Sequence, residues 1–241
     1  MRHAIIADIH ANLEALEAVL AALERQGSGE LWCLGDIVGY GPDPQACLEL
    51  VRRRATVVVA GNHDLAAAGS ISDRDFNPSA AWAIRWTGQH LPAESRAYLA
   101  GLPLTAEKGP FTLVHGSARH PVWEYILTEE IARRSLPCFS TPHCLVGHSH
   151  RPLLFRATPG GRLRPLGPGE PVSLEGGRCI INPGAVGQPR DGDPRAAYAV
   201  YDDTTGTLTL YRVSYDVATT QAKMQAHGLP VGLRQRLGLG L

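Results

Sequence analysis

Short apolar runs alternate with amphipathic segments over the first sixty residues of the chain. The runs at residues 3–7, 30–34 and 56–60 predict β-strands, while residues 12–25 and 44–54 carry apolar side chains at helical spacing. This β-α-β-α-β order predicts a sheet with parallel neighbouring strands and right-handed crossovers.

The pattern changes towards the middle of the chain. Residues 65–102 are rich in alanine and predict two or more helices, and residues 128–135 predict another short helix. Two further apolar runs, at residues 111–114 and 143–146, predict strands. After Arg151 short strands alternate with glycine and proline turns, which favours a mostly antiparallel second half.

The organisation of the whole chain favours a single unit. There is no internal repeat, low-complexity segment or long linker. We therefore expect one domain over residues 1–241, with helical cap-like insertions around 65–100 and 117–142. A helix is expected to close the core at 216–227, and the remaining residues form either a helix or a loose tail.

Composition narrows the range of functions. Hydrophobic residues make up 44% of the chain, enough for a full core, and 23 basic residues balance 23 acidic ones. A net charge of zero argues against broad nucleic-acid or membrane-surface binding, so we expect neither partner. It is compatible with a small anionic substrate held by local charge. Five widely spaced cysteines without a C-x-x-C motif favour reduced thiols and a cytoplasmic protein.

Polar side chains follow five of the predicted strands at the point where each strand ends. In open α/β sheets ligands bind at the carboxyl ends of the strands, so side chains gathered there are candidates for a functional site. Five of the ten histidines belong to this group. Its members are Asp8 and His10, then Asp36, then Asn62, His63 and Asp64, then His115, and finally His148 and His150.

The chemistry of this group favours a pair of divalent ions. Structural zinc sites are usually rich in cysteine, and no cysteine lies in these motifs. Carboxylates, imidazoles and an amide oxygen suit Mn²⁺, Fe or Zn²⁺. Two ions ~3.5–4 Å apart need a bridging oxygen, which a carboxylate can supply.

Five short segments also resemble a known family. DIH, GDIVGYGP, GNHD, VHGS and GHSH occur in the order of the signature blocks of the calcineurin-like metallophosphoesterases. A later segment, NPGAVGQPRDGDPRAAYAVYD, is similar to a block of the small bacterial phosphoesterase branch of that family, so that the resemblance covers residues 1 to about 215. The resemblance implies an α/β fold, specifically a four-layer αββα sandwich of two mixed sheets.

The resemblance further implies the ligands of two divalent metal ions and a reaction. The implied first set is Asp8, His10, Asp36 and His150, and the implied second set is Asp36, Asn62, His115 and His148, with Asp36 bridging. The implied activity is hydrolysis of small phosphate mono- or diesters, nucleotides among them, by attack of a metal-bridging hydroxide.

Three residues around these ligands have expected roles at the substrate. His63 cannot easily bind the same ion as the adjacent Asn62 and is better placed as general acid for the leaving group. Asp64 would orient that imidazole, cap the following helix, or do both. Arg190 is favoured over Arg195 to grip a substrate phosphate, and the amide of Asn62 is a second candidate for that contact.

Plainer interpretations stand beside these hypotheses. Asp8 on its own would be interpreted as the cap of a helix that begins near Ala11. Tyr40 fits the core as well as it fits a substrate base, and Trp123 is a candidate for the wall of a cleft. A non-catalytic interaction scaffold on the same fold is the alternative function, and a mononuclear zinc hydrolase is a third. The scaffold predicts damaged ligand positions, whereas none of those in the five blocks is lost.

Overall fold

The computed structural model describes residues 1–158 and 160–241. Within these ranges the chain forms twelve strands and eight α-helices. The strands are β1 (Arg2–Ile6), β2 (Glu30–Cys33), β3 (Val57–Val58), β4 (Thr105–Lys108), β5 (Phe111–Val114), β6 (His143–Leu145), β7 (Leu153–Arg156), β8 (Leu163–Pro165), β9 (Pro171–Ser173), β10 (Cys179–Asn182), β11 (Ala196–Asp202) and β12 (Thr207–Val213). The helices are α1 (Leu13–Arg25), α2 (Pro44–Arg54), α3 (Asn62–Ala68), α4 (Pro78–His90), α5 (Ala93–Ala100), α6 (Glu129–Ser135), α7 (Val217–Ala226) and α8 (Val231–Leu237).

The strands form two mixed sheets of six strands each. The first has the order β3-β2-β1-β11-β12-β9, and the second has the order β4-β5-β6-β10-β7-β8. The parallel pairs are β1 with β2, β2 with β3, β5 with β6 and β6 with β10, while the other pairs are antiparallel. The parallel arrangement predicted for the first three strands is confirmed.

Alternate side chains of the central strands enter different cores. Ile5 of β1 and Leu145 of β6 lie in the core between the two sheets. Their neighbour Ile6 packs with α1 and α2 on the outer face of the first sheet. Val146, after β6, packs with α6 on the outer face of the second sheet. Because successive side chains of a strand point to opposite faces, strands covered on both sides read as continuous apolar runs. The αββα sandwich is confirmed.

Two strand predictions differ from the structure. The strand expected at 56–60 is reduced to β3, because the N–H of Ala60 turns to the carbonyl of Pro103. The edge strand β4 was missed, since the sequence TAEK has little apolar character and its residues alternate between exposed and half-buried. It is joined to β5 through Gly109, whose φ of 55° suits a tight turn.

The carboxyl-terminal residues form a helix that packs against the rest of the chain, and they are not a loose tail. Leu233 and Leu237 of α8 are buried in a small apolar cluster with Met224 of α7 and with Tyr40. In the described part of the chain, no helix is long and apolar enough to cross a membrane.

Candidate metal centre

The predicted ligands meet at one end of the sandwich, where the carboxyl ends of strands from both sheets come together. The loops after β1 and β2 belong to the first sheet, and those after β5 and β6 belong to the second. All seven side chains are at most 3% exposed. They are Asp8, His10, Asp36, Asn62, His115, His148 and His150.

Backbone hydrogen bonds tie these loops to one another. The N–H of Asp8 donates to the carbonyl of Gly35 at 3.1 Å, and the N–H of His10 donates to the carbonyl of Asp36 at 2.9 Å. The loop after β10 joins them, because the N–H of Gly187 donates to the carbonyl of Asp8 at 2.9 Å. The site is therefore built on a rigid backbone frame.

The backbone at the site is unusually strained. Among the described residues, seven other than glycine have a positive φ, with values between 49° and 65°. This left-handed region is sparsely populated by residues with a Cβ, and each such residue costs roughly 1–3 kcal/mol. Five of the seven are predicted metal ligands: Asp8, His10, Asp36, His148 and His150. Such strain typically concentrates at functional sites, where the surrounding structure enforces it.

The first group of donor atoms surrounds a single point. The Nε2 atoms of His10 and His150 lie 3.1 Å apart. Oδ1 of Asp8 lies 3.4 Å from the His150 nitrogen, and Oδ2 of Asp36 lies 3.6 Å from the His10 nitrogen. Ligands of one ion with bond lengths of ~2.1 Å lie roughly 3–3.5 Å apart, so these spacings suit a shared cation.

A second group of donors adjoins the first and shares Asp36 with it. Oδ2 of Asp36 lies 3.3 Å from Nε2 of His115. The same nitrogen lies 3.1 Å from Oδ1 of Asn62 and 3.2 Å from Nδ1 of His148. The two donor groups thus have the membership expected for two ions, with one carboxylate common to both.

Each of the four histidines turns its other ring nitrogen to a backbone carbonyl. Such a carbonyl accepts an N–H, which holds the site-facing nitrogen as a free lone pair, the form that binds a metal. The pairs are His10 Nδ1 with Val38 at 3.2 Å, His115 Nδ1 with Leu34 at 2.9 Å, His150 Nδ1 with Gln188 at 2.6 Å and His148 Nε2 with Trp123 at 3.3 Å.

Burial and mutual attraction set the charges in this cluster. Burial lowers the pKa values of His10, His148 and His150, which favours their neutral form. Burial acts in the opposite direction on Asp36, but attraction to His115 outweighs it and lowers the pKa of that carboxyl. His115 differs from the other three histidines: attraction to Asp36 outweighs burial and raises its pKa, so an ion bound at its Nε2 would displace a proton. Asp36 is thus the fixed negative charge at the centre of the cluster.

One oxygen of the cluster has the surroundings that a bound cation would satisfy. Oδ2 of Asp36 is buried and has no hydrogen-bond partner in the described chain, whereas Oδ1 accepts from the N–H of His63 at 2.9 Å. A buried carboxylate oxygen without a partner is costly. Because Oδ2 faces nitrogens of both donor groups, cations held there would satisfy it.

The side chains of His63 and Asp64 point in different directions in the structure, whereas the sequence suggested that they contact each other. The ring of His63 lines the cavity above the donors, with its Nδ1 unpaired among the described residues. Asp64 turns away, and its two oxygens accept from the N–H groups of Val38 and Gly61, each at 3.1 Å. The expected hydrogen bond between them is therefore not formed, and Asp64 takes the alternative role of capping α3.

Asn12, and not Asp8, caps the first helix. Oδ1 of Asn12 accepts from the N–H of Ala15 at 3.2 Å and caps α1. The carboxylate of Asp8 instead accepts from the N–H of His148, at 3.1 and 3.2 Å for its two oxygens.

A cavity of about 180 Å³ opens onto the donor groups. Arg190 lines it, with the guanidinium 5.7 Å from the ring centre of Tyr40 and Nε buried without a partner in the described chain. Arg195 instead forms an exposed ion pair with Asp193 at 2.6 Å. Trp123 lines the cavity, and Tyr40 both lines it and packs in the core.

Comparison with known proteins decides the family. The sequence model of the calcineurin-like phosphoesterase superfamily domain matches residues 1–206 of this chain. An uncharacterized protein of Methanocaldococcus jannaschii is 39% identical over 98% of this chain and 97% of its own length. A metallophosphoesterase of Sphaerobacter thermophilus with a crystal structure is 49% identical, with a TM-score of 0.92 over 100% of this chain and 99% of that chain. This chain belongs to the calcineurin-like phosphoesterase superfamily. A hypothetical protein of Pyrococcus horikoshii OT3, 22% identical, shares the fold with a TM-score of 0.81 over 100% of this chain and 98% of that chain.

Sequence reasoning missed several residues that shape the phosphoesterase site. The pattern of polar residues at strand ends does not indicate Gln188. Its backbone carbonyl orients His150, and its side-chain oxygen accepts from Arg190 at 2.8 Å. Arg236 of α8 reaches the same oxygen at 3.4 Å. Phe76 and Tyr125 line the cavity from loops with no regular pattern. These contacts join distant parts of the chain, so no local sequence pattern announces them.

Proposed function

We propose that this member of the superfamily is a dinuclear metal-dependent phosphoesterase that hydrolyses small phosphate mono- or diesters. The observation that carries the proposal is the pair of buried donor groups that share Asp36 and open onto one cavity. The family relationship supports the chemistry, and the geometry supports the number of ions.

In this proposal each ion has its own ligands. Asp8, His10 and His150 would hold the first ion, Asn62, His115 and His148 would hold the second, and Asp36 would contact both. Bound divalent ions, with Mn²⁺, Fe and Zn²⁺ as candidates, would supply positive charge to the phosphoryl oxygens and lower the pKa of the attacking water.

Two side chains would bind the phosphoryl group. Arg190 lines the cavity and carries a guanidinium without a carboxylate partner in the described chain. Its planar fork suits two oxygens of a phosphate. Asn62 holds a position between the second donor group and the cavity, so its amide N–H₂ can donate to a third oxygen.

His63 would donate a proton to the leaving oxygen. Burial, together with the nearby Arg190, lowers its pKa to about 4 in the protein without substrate. An anionic phosphate in the cavity would oppose this effect and raise the pKa, because it favours the imidazolium. Asp64 would act indirectly, since its hydrogen bond to Gly61 holds the start of α3 and hence the position of His63.

The cavity argues for small substrates. A cavity of about 180 Å³ that polar and aromatic side chains line together suits a small phosphate ester. A folded phosphoprotein would need a wider approach to reach Asp36, which is only 1% exposed.

The decisive experiment measures metal-dependent hydrolysis directly. Protein purified with Mn²⁺ would be assayed with p-nitrophenyl phosphate and with its bis ester. We expect release of p-nitrophenol that a chelator abolishes and added Mn²⁺ restores, and that Asp36→Ala lowers by at least ~100-fold. Activity unchanged by chelation or by Asp36→Ala would contradict the proposal. Fewer than about one ion per chain, unrestored by Mn²⁺, would favour a non-catalytic scaffold.

A further inference from the structure

Aromatic side chains from two separate segments line the mouth of the cavity. Phe76 lies in the loop before α4, whereas Trp123 and Tyr125 lie in the loop between β5 and α6. The rings of Phe76 and Trp123 meet edge to face, with centroids 4.9 Å apart. Trp123 and Tyr125 nevertheless keep 39% and 42% of their surface exposed. Apolar surface beside a polar site gains free energy when a ligand covers it.

Two of these three aromatic residues, Trp123 and Tyr125, contact the metal-ligand candidate His148 directly. Nε2 of His148 donates to the backbone carbonyl of Trp123, and the ring of Tyr125 stacks on the His148 ring at 3.8 Å with a 16° angle between planes. The fold therefore fixes the distance between these aromatic rings and the donor groups. An ester whose phosphoryl group is bound beside the donor groups can thus place its organic group against Trp123 and Tyr125.

The charges around the cavity favour one phosphoryl group rather than several. Of the described residues that line it, Arg190 is the one lysine or arginine. Asp75 and Asn77 lie at the rim, where a negative charge disfavours additional phosphates. Oδ1 of Asn77 accepts from the N–H of Ala80 at 3.0 Å, which leaves its amide N–H₂ as a donor beside the carboxylate of Asp75 as an acceptor. A donor next to an acceptor suits the hydrogen-bonding edge of a planar ring system. Alkyl chains lack both the flat face and that edge, and sugars lack the flat aromatic face.

We propose that Trp123, Tyr125 and Phe76 form a platform that binds the base of a nucleoside monophosphate. The inference rests on the proposed phosphoesterase function, narrows the substrates to monoesters that carry a base and names the residues that select them. Stacking of a base on an aromatic side chain typically changes binding by roughly 5- to 150-fold. We therefore expect a strong preference for an ester that carries a base.

The test compares adenosine 5′-monophosphate with ribose 5-phosphate in the Mn²⁺-loaded protein. Both esters release the same primary hydroxyl of ribose, so the ratio of their kcat/KM values reports only the base. We expect a ratio of at least ~10 for the native protein. Trp123→Leu, and independently Tyr125→Leu, should reduce the ratio towards one. Trp82→Leu is the matched control, because Trp82 is 40% exposed on α4 and does not line the cavity, and it should keep the native ratio.

A binding measurement completes the test. Adenosine 5′-monophosphate should quench tryptophan fluorescence in the native protein and in Trp82→Leu, and much less in Trp123→Leu. Equal kcat/KM values for the two esters in the native protein would overturn the platform and leave the phosphoesterase function standing. A high ratio that both Trp123→Leu and Tyr125→Leu retain would also overturn it. Failure to hydrolyse these esters and p-nitrophenyl phosphate as well would overturn the proposed function, and the platform with it.

Discussion

Replacing Asp36 with asparagine removes a negative charge from both donor groups with almost no change in side-chain volume. The residue is 1% exposed, and its Oδ2 lies 3.6 Å from His10 Nε2 and 3.3 Å from His115 Nε2. The hydrogen bond from the N–H of His63 to Oδ1 can persist in the variant. Asp36→Asn therefore separates the loss of a shared ligand from damage to the fold.

The size of the effect follows from the shared position. Loss of an outer partner of a metal ligand lowers affinity by about 10- to 100-fold, so loss of the ligand itself should cost at least ~100-fold at each ion. An ion present at about 100 times its Kd stabilises the native fold by about 2.7 kcal/mol, whereas at its Kd it contributes about 0.4 kcal/mol. For a chain of this size 1 kcal/mol shifts Tm by about 2–4 °C. Two ions should thus raise Tm by roughly 10–20 °C in the native protein and by about 2–3 °C in the variant.

The assay combines metal content per chain after dialysis with calorimetric Tm values in the presence and absence of Mn²⁺. His10→Asn affects only the first donor group and His115→Asn only the second, so each should lose one ion. Asp203→Asn is the matched control, because this half-exposed carboxylate pairs with the amino terminus far from the site and should leave both ions bound.

Specific results would refute the shared-ligand reasoning. Asp36→Asn that retains two ions and the native Tm increase would show that Asp36 binds neither. Loss of a single ion in that variant would show that Asp36 does not bridge. Saturation of the native protein at one ion per chain would contradict a dinuclear site altogether.

Three further substitutions examine other parts of the proposal. His63→Asn should lower kcat by ~10²–10⁴-fold for an alkyl phosphate but much less for p-nitrophenyl phosphate, because the p-nitrophenolate leaving group needs no proton. Equal losses for both esters would show that His63 is not the proton donor. Arg190→Lys should raise KM about 10-fold with metal content unchanged, because a lysine keeps the charge but not the fork; an unchanged KM would remove this residue from the phosphate site. In Gly61→Ala the new Cβ would overlap Oδ1 and the backbone nitrogen of Asp36, so bound metal should fall although no ligand is changed. Gly232→Ala, where a Cβ meets open space, should keep the native metal content, and equal behaviour of the two alanine variants would contradict the steric argument.

Several features of this protein were evident from local sequence alone. Short apolar runs predicted β1, β2 and β5, because strands covered on both faces need apolar residues at every position. The polar residues that end these runs, such as Asp8 and His115, followed from the same pattern. The candidate site residues can therefore be predicted from the sequence, because the end of a strand is visible in the local pattern of apolar and polar residues.

Only the tertiary structure decided how those residues are combined. Strand ends from two different sheets meet at Asp36, and a sequence pattern does not say which strands share a sheet. Local patterns left two details open that the fold settled: Asn12 and not Asp8 caps α1, and Asp64 bonds to Gly61 and not to His63. Both choices depend on which backbone N–H groups the fold brings within reach.

The walls of the cavity depend on the tertiary structure most of all. Phe76 and Trp123 are 47 positions apart in the sequence, and the loops that carry them have no periodic pattern. Arg236, at the far end of the chain, reaches Gln188 only because α8 packs through Leu233 and Leu237. The sequence by itself determined which side chains are candidate metal ligands, because that depends on residue type and strand ends. Long-range packing alone determined which other side chains line the cavity beside them.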